Sequence, residues 1–95
     1  MIKGFRCKRT EALFNDGAGD KKWRAFERVA RRKLVMLDSA KVLSDLKAPP
    51  GNRLEPLKDD RAGQWAIRIN GQYRVCFVWS MGEGAAYNVE IVDYH

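Results

Sequence analysis

The sequence predicts an α+β domain: a small antiparallel sheet of about four strands with two or three helices packed on one face. Two patterns carry this expectation. From Lys21 to Asp38 the apolar residues fall at Trp23, Phe26, Ala30, Leu34 and Leu37, one stripe of an amphipathic helix. From Gln64 onward the apolar residues alternate instead. Trp65, Ile67 and Ile69 share one side, and so do Tyr73, Val75, Phe77 and Trp79. That is the period of half-buried strands.

Each element has its own signal. Met1 to Arg6 reads as a short strand anchored by Ile2 and Phe5. Thr10 is placed to cap a short helix through Glu11, Ala12, Leu13 and Phe14. Asn15-Asp16-Gly17-Ala18-Gly19 breaks it. Asp20 is a good N-cap for the long helix, whose other positions carry Arg24, Glu27, Arg28, Arg31, Arg32 and Lys33. A break falls near Ser39. A further helical turn follows, with Val42, Leu43 and Leu46 expected inward. Ala48-Pro49-Pro50-Gly51 ends the helical half, because two prolines and a glycine cannot continue it. After the strands from Gln64 to Ile69 and Tyr73 to Trp79, the glycine-rich stretch Ser80 to Ala85 is a turn. Tyr87, Val89 and Ile91 form the last apolar set.

The bulk properties narrow the class. A chain of 95 residues suits one domain, residues 1–95, with a single core that needs neither disulfides nor metal. It has no run of 18 apolar residues, and MIKGFRCKRT lacks a signal-peptide core. A cytoplasmic protein with no membrane partner is expected. Cys7 and Cys76 lie far apart and read as reduced structural thiols. With a single histidine they make no zinc pattern, and no cofactor is expected. The net charge of +6, from 18 Lys+Arg against 12 Asp+Glu, favours an anionic partner such as nucleic acid.

Hairpin register decides which side chains stand together. A two-residue Asn70-Gly71 loop would set Ile67 opposite Arg74 and mix apolar with charged positions. A three-residue loop, Asn70-Gly71-Gln72, pairs Ile69 with Tyr73, Ile67 with Val75 and Trp65 with Phe77. One face is then wholly apolar, which selects this register. Arg68 and Arg74 must then face each other on the opposite side. Like charges in that position are unfavourable. Either Glu90, which shares the face by parity, or a bound polyanion must compensate them.

The tail brings Val92 and Tyr94 onto this face, while Asp93 and His95 have the opposite phase unless the strand end twists. His95 is the sole histidine. The polar connection RLEPLKDDRAGQW ahead of the hairpin adds Arg53, Glu55, Lys58 and Arg61.

These residues bear a resemblance. LEPLKDDRAGQWAIRINGQYRVCFVW, the closing VEIVDYH and the opening MIKGFRCKRTEALFNDG resemble the HigB branch of the RelE/ParE toxin superfamily over nearly the whole chain. The resemblance implies a RelE-like fold and a bacterial toxin of a type II toxin–antitoxin pair. It implies a ribosome-dependent endoribonuclease that cuts mRNA in the ribosomal A site without metal. It also implies a helix-turn-helix HigA-type antitoxin, through which the pair binds its operator DNA. Carried over by position, Lys58 and Arg74 match basic residues that contact the scissile phosphate. Asp93, Tyr94 and His95 match a terminal acid/base group. Arg53, Arg61 and Arg68 are candidates for contacts to the RNA backbone. The helix arginines Arg24, Arg28, Arg31 and Arg32 read as a solvated or ribosome-facing surface.

The chemistry suits these residue types. Metal-free RNA cleavage needs a base for the ribose 2′-OH, an acid for the leaving 5′-oxygen, and cations for the charge building on phosphorus. Imidazole, with a pKa of about 6.5, transfers protons near neutral pH. A terminal α-carboxylate beside His95 should raise that value. Tyr94 can donate a proton or stack on a base. Asp93 can orient His95 or Arg74. Glu55 stands where some members of the branch have histidine. Either His95 is the sole base, or Glu55 substitutes, although a solvated glutamate near a pKa of about 4.3 is a poor base at neutral pH. Two other functions share the pattern: a gyrase poison of the same fold, and a non-enzymatic ribosome- or RNA-binding module.

Overall fold

The computed structural model describes residues 1–94. Helix α1 spans Lys8–Asp16 and α2 spans Glu27–Ser39. The strands are β1, Glu55–Pro56; β2, Trp65–Arg68; β3, Tyr73–Ser80; and β4, Ala85–Asp93. They form one antiparallel sheet in the order β1-β2-β3-β4. Among the described residues no helix is long and apolar enough to cross a membrane.

The predicted stripe packs against the sheet. Trp23, Ala30, Leu34 and Leu37 are buried with Ile67, Ile69, Val75, Phe77 and Trp79 in one core, and Phe26 packs at its margin. The long helix is not uniform, however. Lys21–Phe26 winds as a 3-10 helix, with the Asp20 carboxylate accepting from the Lys22 N–H at 2.9 Å, and α2 begins only at Glu27. Short 3-10 turns are frequent at helix ends, and a run of this length is uncommon.

Other expectations change in the first half. Thr10 does not cap α1. Cys7 occupies the N-cap, and Thr10 lies fully buried in the first turn. Its Oγ1 instead accepts the Ile91 N–H of β4 at 3.1 Å. The opening segment is not a full strand. It runs parallel to β4 through isolated bridges, Ile2 with Ala86 and Phe5 with Val89. Together with Thr10 it satisfies the outer edge of β4, which would otherwise be open to pairing with another chain. Val42, expected inward, is 55% exposed, while Leu43 and Leu46 are buried.

Lys33 departs most from its sequence reading. It lies on the polar side of the helical pattern yet is buried, and its Nζ donates to Asn52 Oδ1 at 2.6 Å. The Asn52 amide in turn donates to the Leu46 and Ala48 carbonyls, both at 3.2 Å. Burial pushes the Lys33 ammonium below its usual pKa range, and neighbouring Arg32 adds to the effect. Lysine is seldom buried without a partner; here the loop after α2 folds back and supplies one.

The hairpin register is the predicted one. Trp65 pairs with Phe77, Ile67 with Val75 and Arg68 with Arg74. The Ile69 N–H donates to the Tyr73 carbonyl at 3.0 Å, closing the three-residue loop. Asn70 Oδ1 holds that loop by accepting from the N–H groups of Gln72 and Tyr73. The last strand needs a correction. A bulge between Cys76 and Val78 leaves two β4 residues opposite Phe77, with Asn88 at φ 53°. Asparagine tolerates this left-handed conformation better than most residues. Beyond the bulge the phase inverts, so Ala86 joins Val89 and Ile91 in the core. Tyr87 turns away and donates its hydroxyl to Glu83.

Candidate active site

The sheet face away from the helices carries a second, smaller apolar layer. Leu57, Ala66 and Cys76 are buried there, and Val92 and Tyr94 pack against them. Leu57 belongs to the segment that follows β1 and crosses this face. Burial raises the Cys76 thiol to about 11. Strand pairing sets the charged groups in rows on this floor. One row reads Glu55, Ala66, Cys76, Glu90, and the next reads Arg68, Arg74, Val92.

The predicted opposition of Arg68 and Arg74 is therefore real, but Glu90 does not relieve it. Its carboxylate pairs with Arg61 at 3.3 Å and with Arg6 at 3.6 Å. Both opposed arginines turn to one backbone oxygen in the hairpin loop. Arg68 Nε donates to the Asn70 carbonyl at 3.2 Å and Arg74 Nη1 donates to it at 2.9 Å. Arg74 Nη1 also reaches the Tyr73 carbonyl at 3.3 Å. A carbonyl dipole supplies less than the full charge of a carboxylate. Among the described residues neither arginine has an ion-pair partner. Arg74 Nε is buried and makes no hydrogen bond there.

Tyr94 completes this corner. The Arg74 guanidinium carbon lies 5.3 Å from the centre of the Tyr94 ring, within range of a cation–π contact. The Tyr94 N–H donates to the Gln72 carbonyl at 2.6 Å, tying the end of β4 to the hairpin loop.

The other sequence candidates take different places. Glu55 sits on the arginine side, half-buried and paired with Ala66. Lys58 is exposed at the start of the 3-10 turn Asp59–Arg61, immediately after Leu57. Arg61 is engaged by Glu90 and by Gln64 Oε1 at 3.1 Å. Arg53 is exposed and left-handed, at φ 47°, in the turn entering β1. Asp93 pairs with Tyr73 and so belongs to the helix side of the sheet. There it lines a cleft with Cys7, Arg9, Lys22 and Trp23, and Gln72 Nε2 donates to its Oδ2 at 3.0 Å. The strand end does not twist enough to bring it beside Arg74. His95 lies outside the described residues.

A family model described as the RelE-like toxin HigB of type II toxin–antitoxin systems matches residues 3–95. The chain belongs to the HigB-like toxin family. Toxin HigB-1 of Vibrio cholerae serotype O1 is 41% identical over 92 residues, covering 93% of this chain and 92% of its own. Endoribonuclease HigB of Proteus vulgaris is 32% identical with both chains fully covered. A solved YoeB–YefM complex from Staphylococcus aureus shares the fold, with a TM-score of 0.52 at 16% identity over 100% of this chain and 98% of that one.

In this HigB-like toxin, sequence reasoning missed the residues that hold the cluster together. Asn70 was legible as a turn former but not as the shared acceptor for two arginines. Gln72 was legible as a loop residue but not as the anchor of Tyr94 and Asp93. Arg6, far away in the chain, is the second partner of Glu90. Only the Asn-Gly turn signal pointed toward any of them.

Proposed function

We propose that this toxin is an endoribonuclease that cuts mRNA in the ribosomal A site, in the cytoplasm, without metal or cofactor. One observation carries the reading: Arg68 and Arg74 stand opposed on the face away from the helices and, among the described residues, have carbonyls and the Tyr94 ring beside them but no carboxylate. A phosphodiester supplies the missing counter-charge through charge-assisted hydrogen bonds to the guanidinium groups. The relative named endoribonuclease HigB, aligned over the full chain, supports the reaction class.

In this reading Arg74 and Lys58 hold the scissile phosphate, and Arg68 holds the backbone beside it. Their charge offsets what builds on phosphorus in the transition state. A base removes the ribose 2′-OH proton, and O2′ attacks phosphorus. The bond from phosphorus to the 5′-oxygen breaks, leaving a 2′,3′-cyclic phosphate, and the departing oxygen takes a proton. His95, the residue after Tyr94, suits these transfers because imidazole changes charge near neutral pH. Glu55 shares the arginine face and is the second candidate base. Tyr94 stacks on a base or donates its phenol proton. Asp93 acts as a positioning residue through Gln72. Arg53 and Arg61 are outlying backbone contacts, and Arg61 must loosen its bond to Glu90 to serve. The partner is a helix-turn-helix antitoxin, through which the pair binds operator DNA.

Primer extension on mRNA in a translating lysate tests this. Cuts that require ribosomes, and that vanish with Arg74→Ala or loss of His95, are expected. Growth arrest with intact mRNA and gyrase-linked DNA breaks would overturn it.

A further inference from the structure

The loop between β2 and β3 does more than reverse the chain. Asn70 Oδ1 accepts from the Gln72 N–H at 2.9 Å and from the Tyr73 N–H at 2.8 Å, a turn closed by one side chain. The backbone carbonyl of the same residue receives Arg68 Nε at 3.2 Å and Arg74 Nη1 at 2.9 Å. A carbonyl oxygen has two lone pairs, so the two guanidiniums fill it. One residue therefore closes the loop with its side chain and gathers both arginines with its backbone.

That oxygen sets where the arginines stand. Like charges opposed across a strand pair push apart, and among the described residues no carboxylate pairs with either one. The bond to the Asn70 carbonyl is the one hydrogen bond of the Arg68 side chain among them. The carbonyl takes only Nε of Arg68 and Nη1 of Arg74. Both terminal nitrogens of Arg68 and Nη2 of Arg74 are left to meet an anion. The loop also holds the tail. The Gln72 carbonyl accepts from the Tyr94 N–H at 2.6 Å, and the Tyr94 ring lies against Arg74. Two carbonyls of one short loop thus fix Arg68, Arg74 and Tyr94 relative to one another.

We propose that Asn70 is a positioning residue for RNA cleavage: its side-chain oxygen fixes the loop whose carbonyls converge Arg68 and Arg74 on the scissile phosphate and keep Tyr94 beside them. The proposal rests on the nuclease reading. Asn70 itself touches no reacting atom. Its loss leaves the Gln72 and Tyr73 N–H groups without their acceptor, lets the shared carbonyl turn, and lets the two guanidiniums separate.

Two measurements on folded Asn70→Ala test it. For mRNA on programmed ribosomes, kcat is expected to fall about 10- to 100-fold while KM changes less than about threefold, the pattern of misplaced groups rather than lost binding. In NMR spectra of the free toxin, the Arg68 Nε–H signal should exchange slowly with water in the wild type and as fast as that of exposed Arg24 in the variant. Asn70→Ser, whose hydroxyl closes such turns more weakly, should fall between the two in both measurements. It also carries the test if the alanine variant does not fold. Asn52→Ala, which loosens the fold away from the site, should lower the melting temperature and leave kcat unchanged below the melt. Wild-type kcat in a folded Asn70→Ala overturns the proposal. So does a fall in kcat with Arg68 exchange unchanged, or an equal fall in Asn52→Ala. Absence of ribosome-dependent cuts by the wild type overturns the nuclease reading instead, and the Arg68 signal still reports whether Asn70 holds the arginines.

Discussion

Arg74 lies against the ring of Tyr94, its guanidinium carbon 5.3 Å from the ring centre, while its Nη1 is held by the Asn70 carbonyl. Arg74 also faces Arg68 across the strand pair, and like charges so placed are unfavourable. Arg74→Ala is therefore expected to keep the fold, with a melting temperature unchanged or slightly raised, because the like-charge opposition to Arg68 is gone. RNA cleavage should fall about 10²- to 10³-fold. Arg74→Lys should recover little, since a single ammonium cannot reproduce the planar fork. Thermal melts and cleavage rates measured on the same samples check both halves.

Tyr94 offers a ring and a hydroxyl, and two substitutions separate them. Tyr94→Ala removes the ring over Arg74 and is expected to weaken RNA binding by about 1–3 kcal/mol. Tyr94→Phe keeps the ring. If stacking is its main role, Tyr94→Phe retains most of the rate. A fall in rate as large as that of the alanine variant would assign Tyr94 the proton donation instead.

The Lys33–Asn52 bond makes a stability prediction away from the site. Asn52→Ala strands the buried Lys33 amine and leaves the Leu46 and Ala48 carbonyls short of a donor. A loss of about 3 kcal/mol follows, and the melting temperature should fall by more than about 10 °C. Lys33 also sets a pH signature. Its folded pKa is below the unfolded value of 10.5, so the unfolded chain holds the extra proton between the two. Stability should then rise with pH over the window that ends at 10.5. Lys33→Met should flatten that rise in urea melts taken from neutral to alkaline pH.

The two thiols differ in access. Cys76 is buried and its thiol is raised to about 11, whereas Cys7 is half-buried. Iodoacetamide near pH 8 should place one adduct on the native chain, at Cys7, and two on the chain in urea. Intact-mass spectrometry counts them. Two rapid adducts on the native chain would mean that the layer of Leu57, Val92 and Tyr94 over Cys76 opens readily.

Much of this was readable because it rests on period and parity. The Trp23 to Leu37 stripe and the alternation of β2 and β3 bury their apolar faces whatever the rest of the chain does. A register slip of one residue would turn Ile67 and Val75 out to water, and that penalty set the hairpin. The opposition of Arg68 and Arg74 followed at once. The resemblance located Lys58, Arg74 and the tail, and His95 still stands on sequence alone.

What stayed hidden depended on long-range partners or on single backbone irregularities. The bulge at Asn88 inverted the phase of β4 and moved Tyr87 out and Ala86 in. The phase of Asp93 was legible, yet its cleft and its bond to Gln72 came from elements far apart in the chain. Glu90 had the right parity to relieve the arginines, but Arg61 and Arg6 reached it first. Lys33 looked solvent-facing until Asn52 folded over it. Local pattern by itself determined the layers, the register and the arginine pair, because apolar burial dominates those choices. Tertiary structure alone decided which carboxylate answers which cation and which carbonyl holds the two arginines. Those contacts join residues whose distance is set by the whole packed chain, and no spacing in the sequence records it.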